Sequence, residues 1–553
     1  MKPRLSLCFL LLILAACSGA PPADLVVFGR IWTGNSEQPW AGAVAVRGDS
    51  IIAVGDSADL ARLVGDETRR LDNGNAMVVP GFMDGHLHFL SGGYQLSSVD
   101  LRPANSPAEF IAALKAFAAE RRPGEWILGG DWDHERWEGA PLPRHEWIDS
   151  VTPNNPVFVS RLDGHMALAN SAALRAGGIN RSTRDIPGGV IVRDPRTGEP
   201  TGVLKDEAMT PVYAVIPANS AEQDDAALNR AMAFAASKGV TAAAMVSSPW
   251  SELAALERAR KAGRLTIRAA VYPPLSLWRA VADSMKARGG PGDDWIRLGG
   301  VKGYVDGSLG SSTALFYEPY NDEPTTRGIF VTSEDSLRAQ IGNADSAGLQ
   351  VVVHAIGERA NGVLLGIYDS VARAHGPRDR RFRIEHAQHL RREDIDRIAA
   401  QGVIASMQPY HIIDDGRWAE KRIGPERIRT TYAFRSLLDR KAHLAFGSDW
   451  TVAPIDPVLG LYSAMTRRTL DGKNPEGWIA DQEITLEEAL RSYSYENAYG
   501  VFAEERRGML KPGYLADFVL LDQDLTKVVP NQMDAVKVQA TVVGGNVVYQ
   551  SEE

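Results

Sequence analysis

The sequence predicts a parallel α/β fold in the form of a (β/α)8 barrel, and three observations support this prediction. Short β-rich runs alternate with amphipathic helical runs through the middle of the chain. Eight of these β-rich runs can be distinguished, which is the number that closes such a barrel. Histidine, lysine and aspartate residues stand at the ends of several runs, where barrel enzymes carry their chemistry. An open, doubly wound sheet is the alternative, because strand counts from one sequence do not establish closure.

The predicted strands share short apolar cores rich in valine, isoleucine and alanine. They cover residues 77–83, 240–246, 265–272, 296–304, 349–354, 382–386, 403–408 and 443–449. Amphipathic helices are predicted after several of them, at residues 358–374, 392–400 and 457–467. The barrel is therefore expected to occupy residues 76–507.

Two additions to the barrel are expected. The interval between the first and second predicted strands is too long for one crossover helix, which predicts an inserted subdomain at about residues 97–235. β-rich segments with glycine turns also lie at both ends of the chain, at residues 24–75 and 508–553. We expect these terminal segments to combine in one small composite β-sandwich.

The beginning of the chain predicts an export signal. Lys2 and Arg4 carry positive charge and precede an apolar run, residues 5–16, that is too short to span a bilayer as a helix. We therefore assign residues 1–16 to a signal peptide.

The end of this signal resembles the bacterial lipobox, in which the peptide is cut before a cysteine that is then acylated. The matching segment runs from Leu14 to Cys17. Cys17 would then carry a lipid anchor, with residues 17–23 as a tether to the folded body; a plain secretory signal with an incidental cysteine is the alternative. Because Ser18 stands where an inner-membrane retention signal usually has aspartate, the resemblance implies the periplasmic face of the outer membrane.

The composition of the chain limits the classes of function that the protein can have. The 553 residues carry a formal net charge of -9 and no extended basic run, which argues against nucleic-acid binding and favours a small-molecule partner. Cys8 and Cys17 are the only cysteines, so a processed chain offers neither a disulfide nor an internal thiolate ligand. Any metal must be held by nitrogen and oxygen. The sequence leaves the oligomeric state open, with a homodimer as one alternative.

His86 and His88 form a candidate metal-binding pair. They end the apolar run that contains the first predicted strand. Side chains two residues apart on a strand point the same way, and neutral imidazoles are common ligands of zinc and iron. Because isolated pairs of this kind are usually ordinary histidines, the assignment depends on the rest of the chain.

Further candidate ligands stand at the ends of later predicted strands, where a barrel would bring them to one face. They are Lys302, His354, His386 and Asp449. Each residue alone also fits an ordinary structural role, such as a buried hydrogen bond or an ion pair. Their recurrence at strand ends is what indicates a shared site.

Taken in this order, these residues resemble the metal-dependent amidohydrolase superfamily, and within it amidohydrolase family 3, the branch that includes N-substituted formamide deformylases. The likeness spans nearly the whole mature chain. Besides the candidate ligands, the matching segments are residues 163–165 with 170–171, 201–204, 302–314, 354–357, 447–450 and 511–517. As a set they indicate the branch but not the substrate.

The resemblance implies a divalent metal, zinc first and manganese or iron as alternatives, with one or two ions bound. The implied ligands are His86, His88, carboxylated Lys302, His354, His386 and Asp449. An uncarboxylated Lys302 that anchors substrate beside a single ion is the alternative. Lys205 and Asp206 are rivals for a metal role, although they lie outside the predicted barrel strands.

Further roles follow for single residues. Asp449 is expected to hold the attacking water and to pass its proton to the departing amine. By resemblance, Asp163 and His165 of the insert line the substrate pocket, although a loop hydrogen bond is equally compatible. Asp306 follows the fourth predicted strand and is expected to orient a ligand from behind. Three histidines are interpreted as non-ligands: His389, His411 and His443. Of these, His411 follows the seventh predicted strand and is a candidate for substrate contact.

Four tryptophans of the insert either form its core or line the wall of the site: Trp126, Trp132, Trp137 and Trp147.

The function expected from these residues is hydrolysis of a carbon–nitrogen bond other than a peptide bond, in an amide, formamide or cyclic amide. N-acyl amino acids, dipeptides or esters are alternative substrates, since the pocket walls rather than the ligands select among them. A metal-free binding lipoprotein on the same fold is the alternative from a different class.

Overall fold

The computed structural model describes residues 21–552. The predicted signal peptide and the predicted lipidation site Cys17 lie outside the described residues. Within the described range, no helix has the length and apolar character needed to cross a membrane.

The described chain contains 22 strands, which belong to four sheets. In chain order they are β1 (Leu25–Trp32), β2 (Trp40–Arg47), β3 (Ser50–Gly55), β4 (Arg69–Pro80), β5 (Phe82–Leu87), β6 (Val99–Asp100), β7 (Gly129–Trp132), β8 (Phe158–Arg161), β9 (Met166–Ala169), β10 (Gly189–Arg193), β11 (Pro200–Asp206), β12 (Val240–Val246), β13 (Arg268–Tyr272), β14 (Ile296–Leu298), β15 (Gly300–Tyr304), β16 (Gln350–Ala355), β17 (Arg383–His386), β18 (Ile404–Met407), β19 (Leu444–Phe446), β20 (Phe518–Leu521), β21 (Val538–Val543) and β22 (Asn546–Gln550).

The described α-helices number 18, and most of the long ones follow a strand of the parallel sheets. They are α1 (Ser57–Leu60), α2 (Phe89–Gln95), α3 (Pro107–Ala119), α4 (His145–Asp149), α5 (Ser171–Ala176), α6 (Thr210–Tyr213), α7 (Ala221–Ser237), α8 (Trp250–Lys261), α9 (Trp278–Ala287), α10 (Glu334–Ser346), α11 (Glu358–His375), α12 (Arg392–Gln401), α13 (His411–Asp415), α14 (Ala419–Arg427), α15 (Phe434–Asp439), α16 (Pro457–Thr466), α17 (Leu486–Ser492) and α18 (Tyr495–Gly500).

The two ends of the chain meet in one seven-stranded sheet, with the order β22-β21-β20-β4-β1-β2-β3. β4 joins the two halves, because it pairs with β1 on one side and with β20 on the other. It continues to Pro80, beyond the expected boundary at residue 75. These strands belong to a single sheet, and their arrangement as a two-layered sandwich stays a prediction.

The middle of the chain forms two parallel sheets, ordered β14-β13-β12-β5 and β15-β16-β17-β18-β19. Both faces of these strands are mainly apolar and buried, as in parallel sheets that are covered by helices. β12 and β16 coincide with their predicted ranges within one residue.

The predicted strand 296–304 is divided in two at Gly299. A Cβ atom at this position would lie 2.4 Å from the ring of Tyr272, so only glycine allows the close approach. β14 pairs with β13, whereas β15 pairs with β16. Backbone hydrogen bonds from Gly299 to Val271 and from Lys302 to Pro273, both 2.8 Å, connect the two sheets at this break.

The first and last parallel strands, β5 and β19, approach each other through polar contacts. The Asn497 side-chain amide donates to the carbonyls of Phe446 (2.7 Å) and Met83, one on each strand. Beyond the strand ends, the amide of Asp449 donates to the carbonyl of His86 at 2.7 Å. These contacts place the two strand ends that carry candidate ligands side by side.

The segment between β5 and β12 contains a separate six-stranded sheet, ordered β10-β11-β9-β8-β7-β6. Its core includes the buried Trp132 and Trp137, against which Trp147 packs, while Trp126 packs on a neighbouring cluster. The four tryptophans therefore lie in and around the cores of the insert.

Candidate metal centre

Side chains from four strand ends converge at the carboxyl edge of the two parallel sheets. They are His86 and His88 of the β5 end, His354 of β16, His386 of β17 and Asp449 beyond β19. Ring centres are 4.5 Å apart for His354 and His386, 4.8 Å for His86 and His386, and 5.9 Å for His86 and His88. We call these five residues the cluster.

Two members of the cluster have an unusual backbone conformation. His386 and Asp449 have φ values of 75° and 59°, in the left-handed region that residues other than glycine seldom occupy. Backbone strain of this kind concentrates at functional sites. In a regular strand, Glu385 and His386 would point to opposite faces, but the turn at His386 lets both side chains reach the cluster.

Glu385 holds His86 in one orientation. Its carboxylate contacts His86 Nδ1 and also accepts a hydrogen bond from Arg383 Nε at 2.8 Å, with all three groups buried. Burial raises the pKa of Glu385, but the Arg383 charge and the His86 contact outweigh burial and lower the pKa to about 2. The carboxylate is therefore ionised, and Nε2 of His86 is left facing Asp449.

His386 is oriented in the same way by a neutral partner. Its Nδ1 lies 2.7 Å from Oε1 of Gln408, so Nδ1 carries the hydrogen and Nε2 keeps its lone pair. Burial lowers the pKa of His354 and His386 well below the usual value, which favours the neutral imidazole that binds a metal.

Asp449 stands between two imidazoles. Its Oδ1 lies 3.4 Å from Nε2 of His86 and 3.4 Å from Nε2 of His88. Although burial raises the pKa of Asp449, its electrostatic interactions with the neighbouring histidines, His86 first, outweigh burial and hold the pKa well below the usual value. Asp449 is therefore ionised.

The spacing of the donor atoms fits a divalent cation. One donor atom each from His86, His386 and Asp449 lie within 4.8 Å of one another. Two ligand atoms about 2.1 Å from a tetrahedral ion lie about 3.4 Å apart, which matches the Asp449 contacts and is long for a direct hydrogen bond. Nitrogen and carboxylate oxygen are also a donor set that zinc, iron and manganese accept.

Lys302 is buried beside the cluster. Its Nζ lies 4.5 Å from the centre of the Tyr304 ring and forms no hydrogen bond or ion pair with any residue between 21 and 552. The ring of Tyr304 also lies 5.2 Å from that of His354. Lys302 is therefore within reach of the cluster, but its side chain is not held by a carboxylate.

Asp306 lies behind His354 but does not bond to it closely. Nε2 of His354 lies 3.0 Å from the carbonyl of Gly307, compared with 3.6 Å from Asp306. The Asp306 carboxylate instead accepts three backbone amides, from Leu315, Ile356 and Gly357, at 2.7–3.0 Å. Asp306 thus fixes the loop whose Gly307 carbonyl orients His354.

The insert brings His165 to the cluster. The His165 ring is 4.9 Å from that of His354, and its Nδ1 lies 2.6 Å from Oδ1 of Asp206. Asp206 has φ 48° and ψ −126°, and its buried Oδ2 has no hydrogen-bond partner in the described part of the chain. Asp206 therefore orients His165 and is not one of the three residues whose donor atoms lie within 4.8 Å of one another.

Asp163 lies near His165 on the insert, but both of its carboxylate oxygens already accept hydrogen bonds. Oδ2 accepts from the hydroxyls of Ser308 and Ser311 and pairs with Arg161 Nη1 at 2.9 Å, while Oδ1 accepts the His165 amide at 3.3 Å. This carboxylate joins the insert to the loop after β15. Asp163 thus holds the pocket wall, with little capacity left for a substrate.

The remaining candidates take other positions. Lys205 donates to the carbonyl of Ser311 at 2.7 Å, away from the donor atoms. His389 bonds to Thr431, and His443 pairs with Glu496, outside the cluster. His411 is different, because its Nε2 lies 3.9 Å from Oδ2 of Asp449 and is buried without a hydrogen-bond partner among residues 21–552.

Two cavities meet at the cluster. The outer cleft, of about 730 Å³, lies along the insert and is lined by apolar groups that include Phe158 and Tyr213. The inner chamber, of about 50 Å³, lies along the segment that follows β18, and its lining includes Gln388, Asp415 and Trp418. His354, His386 and Asp449 line both cavities.

Parallel strands with a histidine and carboxylate donor set at their carboxyl ends define the class of the protein as a metal-dependent hydrolase. A crystal structure of an uncharacterized metal-dependent hydrolase from Pyrococcus horikoshii OT3 supports this class. It is 28% identical, with a TM-score of 0.74, and the match covers 92% of this chain and 99% of that chain.

The family follows from the sequence comparisons. The model described as "Amidohydrolase family" matches residues 71–549. Protein LONG AFTER FAR-RED 3 of Arabidopsis thaliana is 39% identical over 96% of this chain and 93% of its own length, and putative amidohydrolase YtcJ of Bacillus subtilis is 32% identical over 94% and 98%. N-substituted formamide deformylase of Arthrobacter pascens is 26% identical over 95% and 98%. The chain belongs to the amidohydrolase family and is a hydrolase of carbon–nitrogen bonds.

Sequence reasoning missed two residues of the centre: Glu385 and Gln408. Glu385 precedes a candidate ligand, and strand alternation would turn it away. Gln408 follows β18, so its position at the end of a predicted strand could have marked it as a candidate. His411, which was interpreted as a non-ligand and a candidate for substrate contact, lines the inner chamber.

Proposed function

We propose that the protein hydrolyses a non-peptide carbon–nitrogen bond in a neutral amide, formamide or cyclic amide. The observation that carries the proposal is the cluster, in which one carboxylate oxygen lies 3.4 Å from two imidazole nitrogens. A divalent ion bound there supplies a water molecule of lowered pKa and polarises the amide carbonyl.

The residues of the chain supply the remaining steps. Asp449 accepts a proton from the attacking water, which adds its oxygen to the amide carbon. Asp449 then gives this proton to the nitrogen as the carbon–nitrogen bond breaks, so that the products are a carboxylic acid and an amine. Glu385 and Gln408 keep the Nε2 atoms of His86 and His386 directed at the site throughout.

The charges around the two cavities favour a neutral substrate. Arg161 and Lys302 are the cationic side chains that line them in the described chain. Arg161 is already paired with Asp133 (3.0 Å) and Asp163 (2.9 Å). A substrate carboxylate would therefore find no unpaired guanidinium.

A second candidate substrate class is an N-acyl amino acid, dipeptide or ester, and the position of Lys302 is the observation that favours it. As an ammonium without an ion-pair partner in the described chain, Lys302 could bind the carboxylate of an acyl amino acid. As a carbamate formed with carbon dioxide, it would instead be an anionic ligand. We propose the carbamate, with zinc as the metal and two ions in the centre.

A substrate screen tests the function. Purified protein loaded with zinc, manganese or iron is assayed against amides, N-formyl compounds, acyl amino acids and esters, with His86→Ala as the control. We expect metal-dependent release of amine from neutral amides. Turnover that is equal in wild type and His86→Ala, or confined to acyl amino acids, would contradict the leading proposal.

Metal analysis tests the binuclear form. We expect about two ions per active chain when bicarbonate is present during loading, and a fall in metal content in Lys302→Ala. Short carboxylic acids should restore part of the activity of Lys302→Ala, because they replace the missing carbamate. One ion per fully active chain would instead support Lys302 as a substrate anchor.

Three broader features belong to the same proposal. We infer that the two parallel sheets close into one (β/α)8 barrel, since bonds at Gly299 and Asn497 bridge both junctions. The predicted lipid on Cys17 would place the enzyme on the periplasmic face of the outer membrane. Labelling with palmitate tests the anchor, because incorporation that survives Cys17→Ala would contradict it.

A further inference from the structure

We propose that Trp418 makes the inner chamber the subsite for the acyl group of the substrate and limits that group to a small, neutral one, while the amine part lies in the outer cleft. This inference rests on the proposed function, because it assigns the two halves of an amide to the two cavities.

The size of the chamber limits its occupant. Its volume of about 50 Å³ compares with about 730 Å³ for the outer cleft. Since one water needs about 15 Å³ of such space, the chamber holds on the order of three non-hydrogen atoms. Besides its carbonyl oxygen, an amide carbon attacked at the cluster carries an acyl substituent and the amine nitrogen. The chamber accepts only the smaller of these two halves of the substrate.

Trp418 forms a fixed wall of this chamber. Its side chain is buried, and its ring lies 5.8 Å from the guanidinium carbon of Arg161 and 5.7 Å from that of Arg422. Both arginines are held by carboxylates, Arg161 by Asp133 and Arg422 by Glu135 at 2.7 Å. Trp418 is therefore packed between two arginines that are themselves held by buried ion pairs.

Trp418 also has an unused hydrogen-bond donor. Its Nε1 is buried and has no partner within residues 21–552. An indole N–H can only donate, and a buried donor without an acceptor is unfavourable. Trp418 is therefore placed by the packing of its ring and not by a hydrogen bond to the described chain.

The charges of the two cavities differ in a way that orients the amide. The outer cleft is lined by Asp131 and Glu207, which have no ion-pair partner in the described chain. The inner chamber contains Asp414, which pairs with an arginine at 3.1 Å, and Asp415, whose carboxyl accepts from Tyr432 (2.6 Å) and Gln388 (2.7 Å). A departing amine gains a positive charge, which the unpaired carboxylates of the outer cleft favour more than the partnered Asp414 and Asp415 of the chamber do.

The outer cleft also suits the larger, apolar half of the substrate. Phe158 and Tyr213 line the cleft with their ring centres 5.0 Å apart, and 49% of the surface of Tyr213 is exposed. An aromatic or aliphatic amine would cover this exposed surface on binding.

The test varies the two halves of the substrate independently. Formyl, acetyl, propionyl and butyryl amides of benzylamine and of methylamine are assayed with the metal-loaded wild type, Trp418→Leu, Trp418→Phe and the control Trp40→Leu. Trp40 lies on the terminal sheet and is 37% exposed, so it reports on the general effect of losing a tryptophan.

We expect kcat/KM of the wild type to fall tenfold or more for each added methylene beyond acetyl. Trp418→Leu should reduce this dependence on acyl length to less than threefold, with the preference for benzylamine unchanged. Trp418→Phe keeps an aromatic wall and should keep most of the dependence on acyl length. Trp40→Leu should behave as the wild type. A wild type that accepts butyryl amides freely, or a Trp418→Leu variant altered only in its amine preference, would overturn the proposal.

Binding measurements separate this inference from the proposed function. Formo-, aceto- and butyrohydroxamic acids bind active-site metals without being hydrolysed as amides, and their affinities are measured by calorimetry for the same variants. If no amide is hydrolysed but Trp418→Leu selectively gains affinity for butyrohydroxamic acid, the function fails and the chamber stands. If amides are hydrolysed but the affinities for all three probes change together, or no probe binds, the chamber assignment fails.

Discussion

At the scale of single residues, Asp449 combines two tasks that can be separated by substitution. Its oxygen lies 3.4 Å from two imidazole nitrogens, which suits a weak ligand, and it is the carboxylate placed to carry the proton. Asp449→Asn keeps a donor oxygen but cannot accept a proton. We expect metal content near that of the wild type and kcat lower by about 10²–10⁴-fold, measured by metal analysis and steady-state kinetics. Near-normal turnover would remove the proton role.

Glu385 offers a second test at this scale, because it acts on the metal only through His86. Outer partners of this kind typically contribute 10–100-fold to metal affinity. We expect Glu385→Gln to raise the metal Kd by about that factor, measured by competition with a chelator. Glu393→Gln, at an exposed position on α12, is the matched control and should bind metal normally. Equal affinities in both variants would show that Glu385 does not orient the ligand.

The sequence could predict which histidines converge but not how they are held. His354 and His386 end apolar strands, so their shared location follows from the topology of parallel strands. The partners Glu385 and Gly307 depend on local backbone geometry, namely the left-handed φ of His386 and the path of the loop after β15. No periodicity in the sequence reports either feature.

At the scale of elements, a buried ion pair joins the terminal sheet to the parallel sheets. Arg268 of β13 is fully buried and donates to both oxygens of Asp517, which precedes β20, at 2.6 and 2.9 Å. Asp517→Asn would leave the guanidinium without its counter-charge. We expect the free energy of unfolding to fall by about 3–5 kcal/mol, measured by urea denaturation.

A surface pair provides the control for this prediction. Asp59 and Arg62 form an ion pair in which both side chains are largely exposed. Asp59→Asn should leave stability nearly unchanged, since exposed pairs contribute little. If Asp517→Asn were as mild as Asp59→Asn, the terminal sheet would be held by apolar packing instead.

Helix α13 carries a carboxyl group whose titration should affect stability. Burial raises the pKa of Asp415 to about 7, with the nearby charge of Asp414 adding to the rise, while the Tyr432 hydrogen bond and Arg161 oppose it. The unfolded value is about 3.9, so between these pH values the folded protein binds more protons than the unfolded chain. This group therefore makes stability fall as pH rises from about 4 to 7, by at most about 1.4 kcal/mol per pH unit. Asp415→Asn should remove that part of the pH dependence, measured by denaturation at several pH values, and an unchanged slope would contradict it.

Element boundaries were predicted well for some strands that serve one sheet, whereas the predicted strand 443–449 is only Leu444–Phe446. Residues 240–246 form β12 with the predicted bounds. The predicted strand 77–83 was wrong in its bounds, because residues up to Pro80 complete β4 of the terminal sheet and β5 begins at Phe82. A continuous apolar run gives no signal where the chain passes from one sheet to the next.

At the scale of the whole molecule, residues distant in the sequence form the site. Alternation of strands and helices predicted the α/β architecture, and the order β15-β16-β17-β18-β19 shows that successive strands are neighbours. The pattern of apolar and polar residues could not predict the position of the insert over the edge of the parallel sheets. That position depends on contacts such as those of Asp163 with Ser311 (2.8 Å) and of Asp133 with Arg417 (3.1 Å), which are specific to the folded surface.

Metal binding should therefore stabilise the molecule as a unit. His86 belongs to one parallel sheet, His386 belongs to the other, and Asp449 follows the last strand, so a shared ion links the two sheets. An ion that binds only the folded state at a thousand times its Kd adds about 4 kcal/mol to the free energy of unfolding. We expect calorimetry to show a Tm several degrees higher for the loaded protein than for the chelated one, and both parallel sheets should unfold in one transition. The double variant His86→Ala with His386→Ala should show no such shift. An equal shift in that variant would mean that the stabilising ion binds elsewhere.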